Sequence, residues 1–379
     1  MTVRSLLFPA LAAFLSTFAL PTLADIPAPP PVAAHAWLLM DASSGQLLAS
    51  QAEHERVEPA SLTKLMTAYL TFSALKTGKL KLSQAVPVSE RAWRTGGSRM
   101  FIEPKRPVTV DELIHGMIVQ SGNDACIALA EAVAGSEEVF AQMMNREAQR
   151  LGLKNSNFVN STGLPDPKHY SSAYDLALLA TAIVRDFPEY YRYYSIREYR
   201  YNNITQPNRN RLLWLDPNVD GMKTGHTENA GFCLVASAKR GERRLLSVVL
   251  GAGSEGIRAQ ESQKLLNFGF QFYDSARLYD KGQTVSTMRL WKGSERTVKA
   301  GVPAGLNVSV PKGMADKVKA DLISQQPLLA PVSAGQRVGT LRVTLEAKLI
   351  GEYPVVALES IGVAGIFGRG WDTMRLWFN

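Results

Sequence analysis

Glu58-Pro59-Ala60-Ser61-Leu62-Thr63-Lys64 is the stretch on which the reading of this chain turns. Pro59 suits the first turn of a helix, where its missing N–H is no loss. The apolar positions that follow, Leu62, Leu65, Met66, Tyr69, Leu70 and Phe72, recur at helical spacing, and Gly78 ends the run. Residues three apart on a helix share a face, so Lys64 lies beside Ser61. A hydroxyl next to an amine is a nucleophile next to a base, provided burial and nearby cations keep the amine neutral. Ser61 also sits near the helix N-terminus, whose free N–H groups suit an oxyanion formed in acyl transfer.

Two further motifs complete a set. Ser121-Gly122-Asn123 falls at a turn between helical runs at 110–119 and 123–134, and Lys223-Thr224-Gly225 precedes a hairpin. Ser121 can relay a proton to a leaving group, and Asn123 can hydrogen-bond a substrate amide. The third motif offers a cation, a hydroxyl and, at Gly225, a backbone open to close approach. Singly the motifs are weak. Ser-x-x-Lys recurs at Ser73 and Ser309, and Lys-Thr-Gly at Lys76. However, Lys76-Thr77-Gly78 closes the first helix, Ser73 lies late in that helix, and Pro311 argues against a helix after Ser309. Only Ser61, Ser121 and Lys223 stand in order on suitable elements, an arrangement shared with penicillin-binding proteins and class A β-lactamases.

The first motif, Ser121-Gly122-Asn123-Asp124-Ala125-Cys126 and Val219-Asp220-Gly221-Met222-Lys223-Thr224-Gly225-His226-Thr227 together resemble the D-alanyl-D-alanine carboxypeptidases among the low-molecular-mass penicillin-binding proteins. The middle Gly of the second motif matches that group. The resemblance spans nearly the whole chain after residue 24. It implies a peptidoglycan stem peptide ending in D-Ala-D-Ala as substrate, acylation of Ser61, and β-lactam antibiotics as covalent ligands. It implies Lys64 as base, Ser121 and Lys223 assisting proton transfer, and an oxyanion hole of Ser61 and His226 N–H groups. Arg209 and Arg258 match family arginines suited to the free carboxylate of the substrate; otherwise they are solvated surface residues. The His226 ring either joins the site or only packs at its rim.

Around these motifs the chain reads as α+β: a penicillin-binding/β-lactamase-like catalytic domain, with strands first and last, helices between and an antiparallel sheet. Hairpins are expected at 36–49 and 231–251, and helices at 110–119, 123–134, 137–151, 173–184 and 261–270. Short alternating runs at 285–291, 306–310, 338–345 and 355–358 predict a small all-β domain. The expected organisation is a signal peptide at 1–24, the catalytic domain at 25–275, the β domain at 276–360 and an amphipathic helix at 361–379. Arg4 followed by the short apolar run Leu6–Leu20 and a small-residue site at Ala24 is the basis for the first; a retained anchor is the alternative. Phe367, Trp371, Met374 and Phe378 recur at spacings of three and four, fit for a membrane interface or for packing on the β domain.

Composition bounds the rest. The 379 residues are 46% apolar with net charge +8, which excludes wholesale disorder. Residues 276–379 hold 14 Lys or Arg against 8 Asp or Glu, so most of the excess lies outside the catalytic part. In an exported chain that charge is suited to the anionic inner-membrane surface rather than to nucleic acid. His35, His54, His115 and His169 show no metal-ligand spacing, HExxH is absent, and no cofactor is implied. Cys126 and Cys233 read as two buried free thiols, with a disulfide as the alternative. A β-lactamase needs a glutamate for its deacylating water, and residues 155–179 contain none. A non-catalytic envelope scaffold is the third reading, against which the intact motif set argues.

Overall fold

A computed structural model describes residues 27–324 and 326–376. The leader expected at 1–24 lies outside the described residues, as does Phe378 of the tail. The centre of the first part is a five-stranded antiparallel sheet, in the order Gln46–Gln51, Ala36–Asp41, Arg243–Ala252, Gly231–Arg240, Val219–Thr227. The strand Ala36–Asp41 is buried throughout because both faces of the sheet are covered. Its residues alternate as a period of two requires. Leu38 and Met40 join the helical core with Leu65, Phe72, Leu113 and Leu176. Trp37 and Leu39 join Leu265 and Leu266 of the helix Glu255–Phe272 on the other face.

The helices follow their capping signals. Thr109 and Glu112 form a capping box for Val110–Val119, and Ser136 and Ser172 cap Glu137–Leu151 and Ala173–Asp186. Two sequence expectations need correcting. The helix expected at 261–270 begins at Glu255, because the Ser254 side chain caps it by accepting from Ile257 N–H. The first helix is not α-helical from its start: Ala60–Thr63 form a 3-10 turn and the α-helix is Lys64–Lys76.

At Tyr273 the chain leaves the helix and enters the strand Tyr273–Tyr279, which pairs with Leu306–Pro311. A six-stranded sheet follows, containing Thr284–Trp291, Arg337–Leu345 and Lys348–Ala357 at three of the expected places. It has its own core, including Val298, Val308, Leu341 and Val355. The strands Thr297–Gly301 and Val318–Ser324 were not anticipated. Ser309, the stray Ser-x-x-Lys serine, is a joint between the two parts: its hydroxyl donates to Asp41 Oδ2 (2.8 Å) and its N–H to Gln46 Oε1 (2.5 Å). The final helix, Ile366–Leu376, buries none of its residues, and Phe367 is 95% exposed. It is tethered by Asp372, whose carboxylate accepts from Lys292 N–H at 2.7 Å.

Candidate active site

Ser61 stands half-buried on the 3-10 turn, at the wall of a cleft of about 180 Å3. Ala60 before it has φ +47°, a left-handed conformation that costs a non-glycine residue about 1 kcal/mol or more. The surroundings hold it there. Gly163 lies so close that a Cβ would come within 1.8 Å of the Ala60 carbonyl oxygen. Below, His169 accepts from Val159 N–H at Nδ1 (3.2 Å), which leaves Nε2–H to donate to Thr63 Oγ1 (2.7 Å). Burial holds the His169 pKa down at about 4, so the ring is neutral.

Lys64 begins the α-helix, 1% exposed, with Nζ 2.9 Å from Ser61 Oγ, 2.7 Å from Asn123 Oδ1 and 2.6 Å from the Thr162 carbonyl oxygen. The Asn123 amide is oriented by its NH2 group, which donates to Gly96 O at 2.7 Å. Two of the three neighbours of Lys64 are therefore carbonyl oxygens that can only accept. The third is a hydroxyl, which can also donate. A neutral amine fits this set: two N–H groups face the carbonyls and the lone pair faces the Ser61 O–H. Burial lowers the Lys64 pKa to about 8, against the opposing pull of Cys126 and Asp124.

Opposite, Ser121 is held at φ +63° between two helices, and Lys223 Nζ lies 3.0 Å from its Oγ. Lys223 is 2% exposed, and burial, then repulsion from Lys64, holds its pKa well below the ordinary range. The strand Val219–Thr227 is an edge of the sheet, so Thr224, Gly225 and His226 can border the cleft. At Gly225 a Cβ would meet the Pro59 carbonyl at 3.1 Å and Ala60 Cβ at 3.2 Å, so strand and turn would have to give by a few tenths of an ångström.

Arg209 and Arg258 both line the cleft, but only Arg258 is buried, so it alone is not a solvated surface arginine. Arg258 is 5% exposed, donates to Gly225 O at 3.1 Å and pairs with Glu255 at 3.1 Å. Arg209 is exposed and donates from Nε to Gln120 O at 3.3 Å. The His226 ring is exposed and packs on Phe232, its cross-strand neighbour, at 4.1 Å between centroids. Cys126 and Cys233 are free and buried, and burial pushes the Cys126 thiol up to about 12.

All ten residues singled out from the sequence therefore belong to one cleft or to the layer directly beneath it. Sequence reasoning missed Ser98, Phe232 and Glu255 on the cleft wall and Thr162 behind Lys64. Thr162 acts through its carbonyl, which leaves no mark in residue type. Asp124, beside Asn123, is also buried. Its buried carboxylate accepts from the N–H groups of Met100, Phe101 and Ile102, pinning the loop whose Ser98 carbonyl accepts from Asn123 N–H.

The comparisons agree with this geometry. The family described as D-alanyl-D-alanine carboxypeptidase matches residues 24–254, and that described as penicillin-binding protein 5, C-terminal domain, matches residues 273–362. The D-alanyl-D-alanine carboxypeptidase DacC of Escherichia coli K12 is 45% identical, over 92% of this chain and 90% of its own length. The crystal structure of penicillin binding protein 5 from Haemophilus influenzae superposes with a TM-score of 0.84 at 41% identity, covering 88% of this chain and 99% of that one. An ampicillin-bound penicillin-binding protein D2 from Listeria monocytogenes matches with a TM-score of 0.59 at 30% identity, covering 64% of this chain and 99% of that one. With its motifs assembled in one cleft and its relatives matched along almost their whole length, the chain belongs to the D-alanyl-D-alanine carboxypeptidase family of serine peptidases.

Proposed function

We propose that in this serine-type D-Ala-D-Ala carboxypeptidase each cleft residue has a defined role. Ser61 Oγ attacks the carbonyl between the two D-alanines of a peptidoglycan stem peptide, and Lys64 takes its proton. The observation that carries this is the 2.9 Å contact between Ser61 Oγ and a buried Lys64 amine whose two other neighbours are carbonyl oxygens. The bond from carbonyl carbon to nitrogen then breaks. Ser121, held by Lys223, passes a proton to the leaving D-alanine. The Ser61 and His226 N–H groups receive the oxyanion, and Asn123 Nδ2 and the free edge of the Thr224–Gly225 strand hold the peptide. Arg209 and Arg258, with the Thr224 hydroxyl, receive the terminal carboxylate. Water completes the cycle by hydrolysing the acyl-enzyme.

The test is release of free D-alanine from a short acyl-D-Ala-D-Ala peptide, with Ser61→Ala as control. Release that survives in the variant refutes the assignment. A β-lactam acylates the same serine and leaves slowly; rapid turnover of penicillin favours the β-lactamase reading instead.

The reading extends to location. No described helix is long and apolar enough to cross a membrane. The exposed Ile366, Phe367, Trp371 and Met374 and the basic excess of the β domain support an exported protein held peripherally at the periplasmic face of the inner membrane. Deleting residues 362–379 then moves the protein to the soluble fraction, and retention of the truncated form on membranes removes the anchor.

A further inference from the structure

We propose that a groove beside the catalytic cleft binds a saccharide, an N-acetylated sugar of the glycan strand that carries the stem peptide. The inference rests on the carboxypeptidase reading above. The groove has a volume of about 480 Å3 and is lined chiefly by Trp93, Arg94, Arg99, Phe101 and Glu103. One loop borders both cavities, with Ser98 on the cleft and Arg99 on the groove. Gly96 and Ser98 hold Asn123 by their carbonyl oxygens, and the next residues, Arg99 and Phe101, face the groove. Asp124, adjacent to Asn123, lies at its floor.

The loop is built to present aromatic rings. Phe101 has φ +70°, a left-handed conformation unfavourable for a bulky residue, yet the residue is 39% exposed. Core packing therefore does not explain the strain. What maintains it is the buried Asp124 carboxylate, 2.8 Å from Phe101 N, which also takes the N–H groups on either side. Strained backbone held by its surroundings clusters at active sites and ligand clamps. Trp93, on the short helix Glu90–Arg94, is also 39% exposed. Each ring has a guanidinium over it: Arg94 at 5.7 Å from Trp93 and Arg99 at 5.2 Å from Phe101.

A sugar ring has an apolar C–H face and a rim of hydroxyl and amide groups. Two aromatic faces flanked by guanidiniums and the Glu103 carboxylate complement both parts. The stem peptide is joined to such sugars at the end away from the scissile bond, so a groove that adjoins the cleft along the 98–101 loop is placed for a substrate still on its glycan.

The experiment compares a disaccharide-linked pentapeptide with the same pentapeptide lacking sugars, using Phe101→Gly and Trp93→Ala. Glycine accepts the positive φ, so Phe101→Gly removes the ring without unfolding the loop. The expected result is a loss of about tenfold in kcat/KM on the glycosylated substrate and less than about twofold on the bare peptide. Parallel losses on both substrates mean that the groove holds peptide or only shapes the cleft, and overturn the proposal, as does no loss on either. Saturation-transfer NMR with a peptide-free tetramer of β-1,4-linked N-acetylhexosamine should show contact with the wild type that Phe101→Gly abolishes; no contact with the wild type also overturns it. If the wild type releases no D-alanine from the bare peptide, the carboxypeptidase reading fails instead, and the NMR result still stands on its own.

Discussion

The protonation state of Lys64 sets a quantitative expectation for the rate of acylation. The amine removes the Ser61 proton only when neutral, and burial places its pKa at about 8. Its neutral fraction is then about one tenth at pH 7, one half at pH 8 and nine tenths at pH 9. The second-order rate of Ser61 acylation should rise with near-unit slope below pH 7, bend through pH 8 and level off near pH 9, gaining about tenfold overall between pH 7 and 9. The assay is stopped-flow capture of a fluorescent penicillin, which reports acylation before deacylation contributes. Lys64→Arg supplies the control, because a guanidinium keeps its proton throughout this range. It should lose at least about a hundredfold at pH 8. A flat wild-type profile from pH 6.5 to 9, or an Arg variant within a few-fold of wild type, would refute Lys64 as the base.

Three further outcomes follow from the contacts around it. His169 is held neutral with a pKa of about 4, so the unfolded chain takes up a proton below pH 6.5 that the folded chain refuses until about pH 4. Stability is lost across that window, by about 3 kcal/mol between pH 7 and 4; urea unfolding free energies of wild type and His169→Gln should diverge by that amount as pH falls, and parallel curves would contradict the assignment. Asp124→Ala strips the acceptor from three N–H groups in the 100–102 loop, which should cost about 2–4 kcal/mol in stability or release the loop, seen as faster amide exchange there. Arg209→Ala, at an exposed position, should raise KM for the D-Ala-D-Ala peptide about tenfold at an unchanged melting temperature, and an unchanged KM removes it from carboxylate binding.

What was legible in the sequence was whatever depends on residue type at a fixed spacing. The helix Asn123–Ala134 and the apolar run that forms the strand Ala36–Asp41 are of this kind, as are Lys64 beside Ser61 and the choice of Ser61 over Ser73 and Ser309. The interval from Ser61 to Lys64 survived even though its first turn is 3-10 rather than α, because in either geometry residues three apart share a face. What stayed hidden acts through the backbone or through long-range pairing. The Thr162 carbonyl, the Ser98 carbonyl and the left-handed Ala60 and Ser121 have no signature in side-chain chemistry. The strands Thr297–Gly301 and Val318–Ser324 are short, partly exposed runs whose identity depends on their partners.

Ala60 and Ser121 also show why the cleft must be assembled before it can react. Both are non-glycine residues in left-handed backbone, and they flank the cleft on opposite sides. Glycine at either place would remove the local cost but would also loosen the turn that aims Ser61 or the loop that carries Ser121. Rigidity comes from neighbours far away in sequence: Gly163 and Gly225 closing on the Ser61 turn, and Asp124 and the Gly116 carbonyl, which accepts from Gly122 N–H at 2.9 Å, holding the other wall. The buried amines obey the same logic. Burial in a core that excludes water lowers the pKa of both Lys64 and Lys223, and that core closes only when the helices behind Ser61 meet the edge strand that carries Lys223. A reactive serine therefore arises from the packing of two distant segments of chain, and a fold loosened at either wall loses both the aim of the nucleophile and the basicity of its partner.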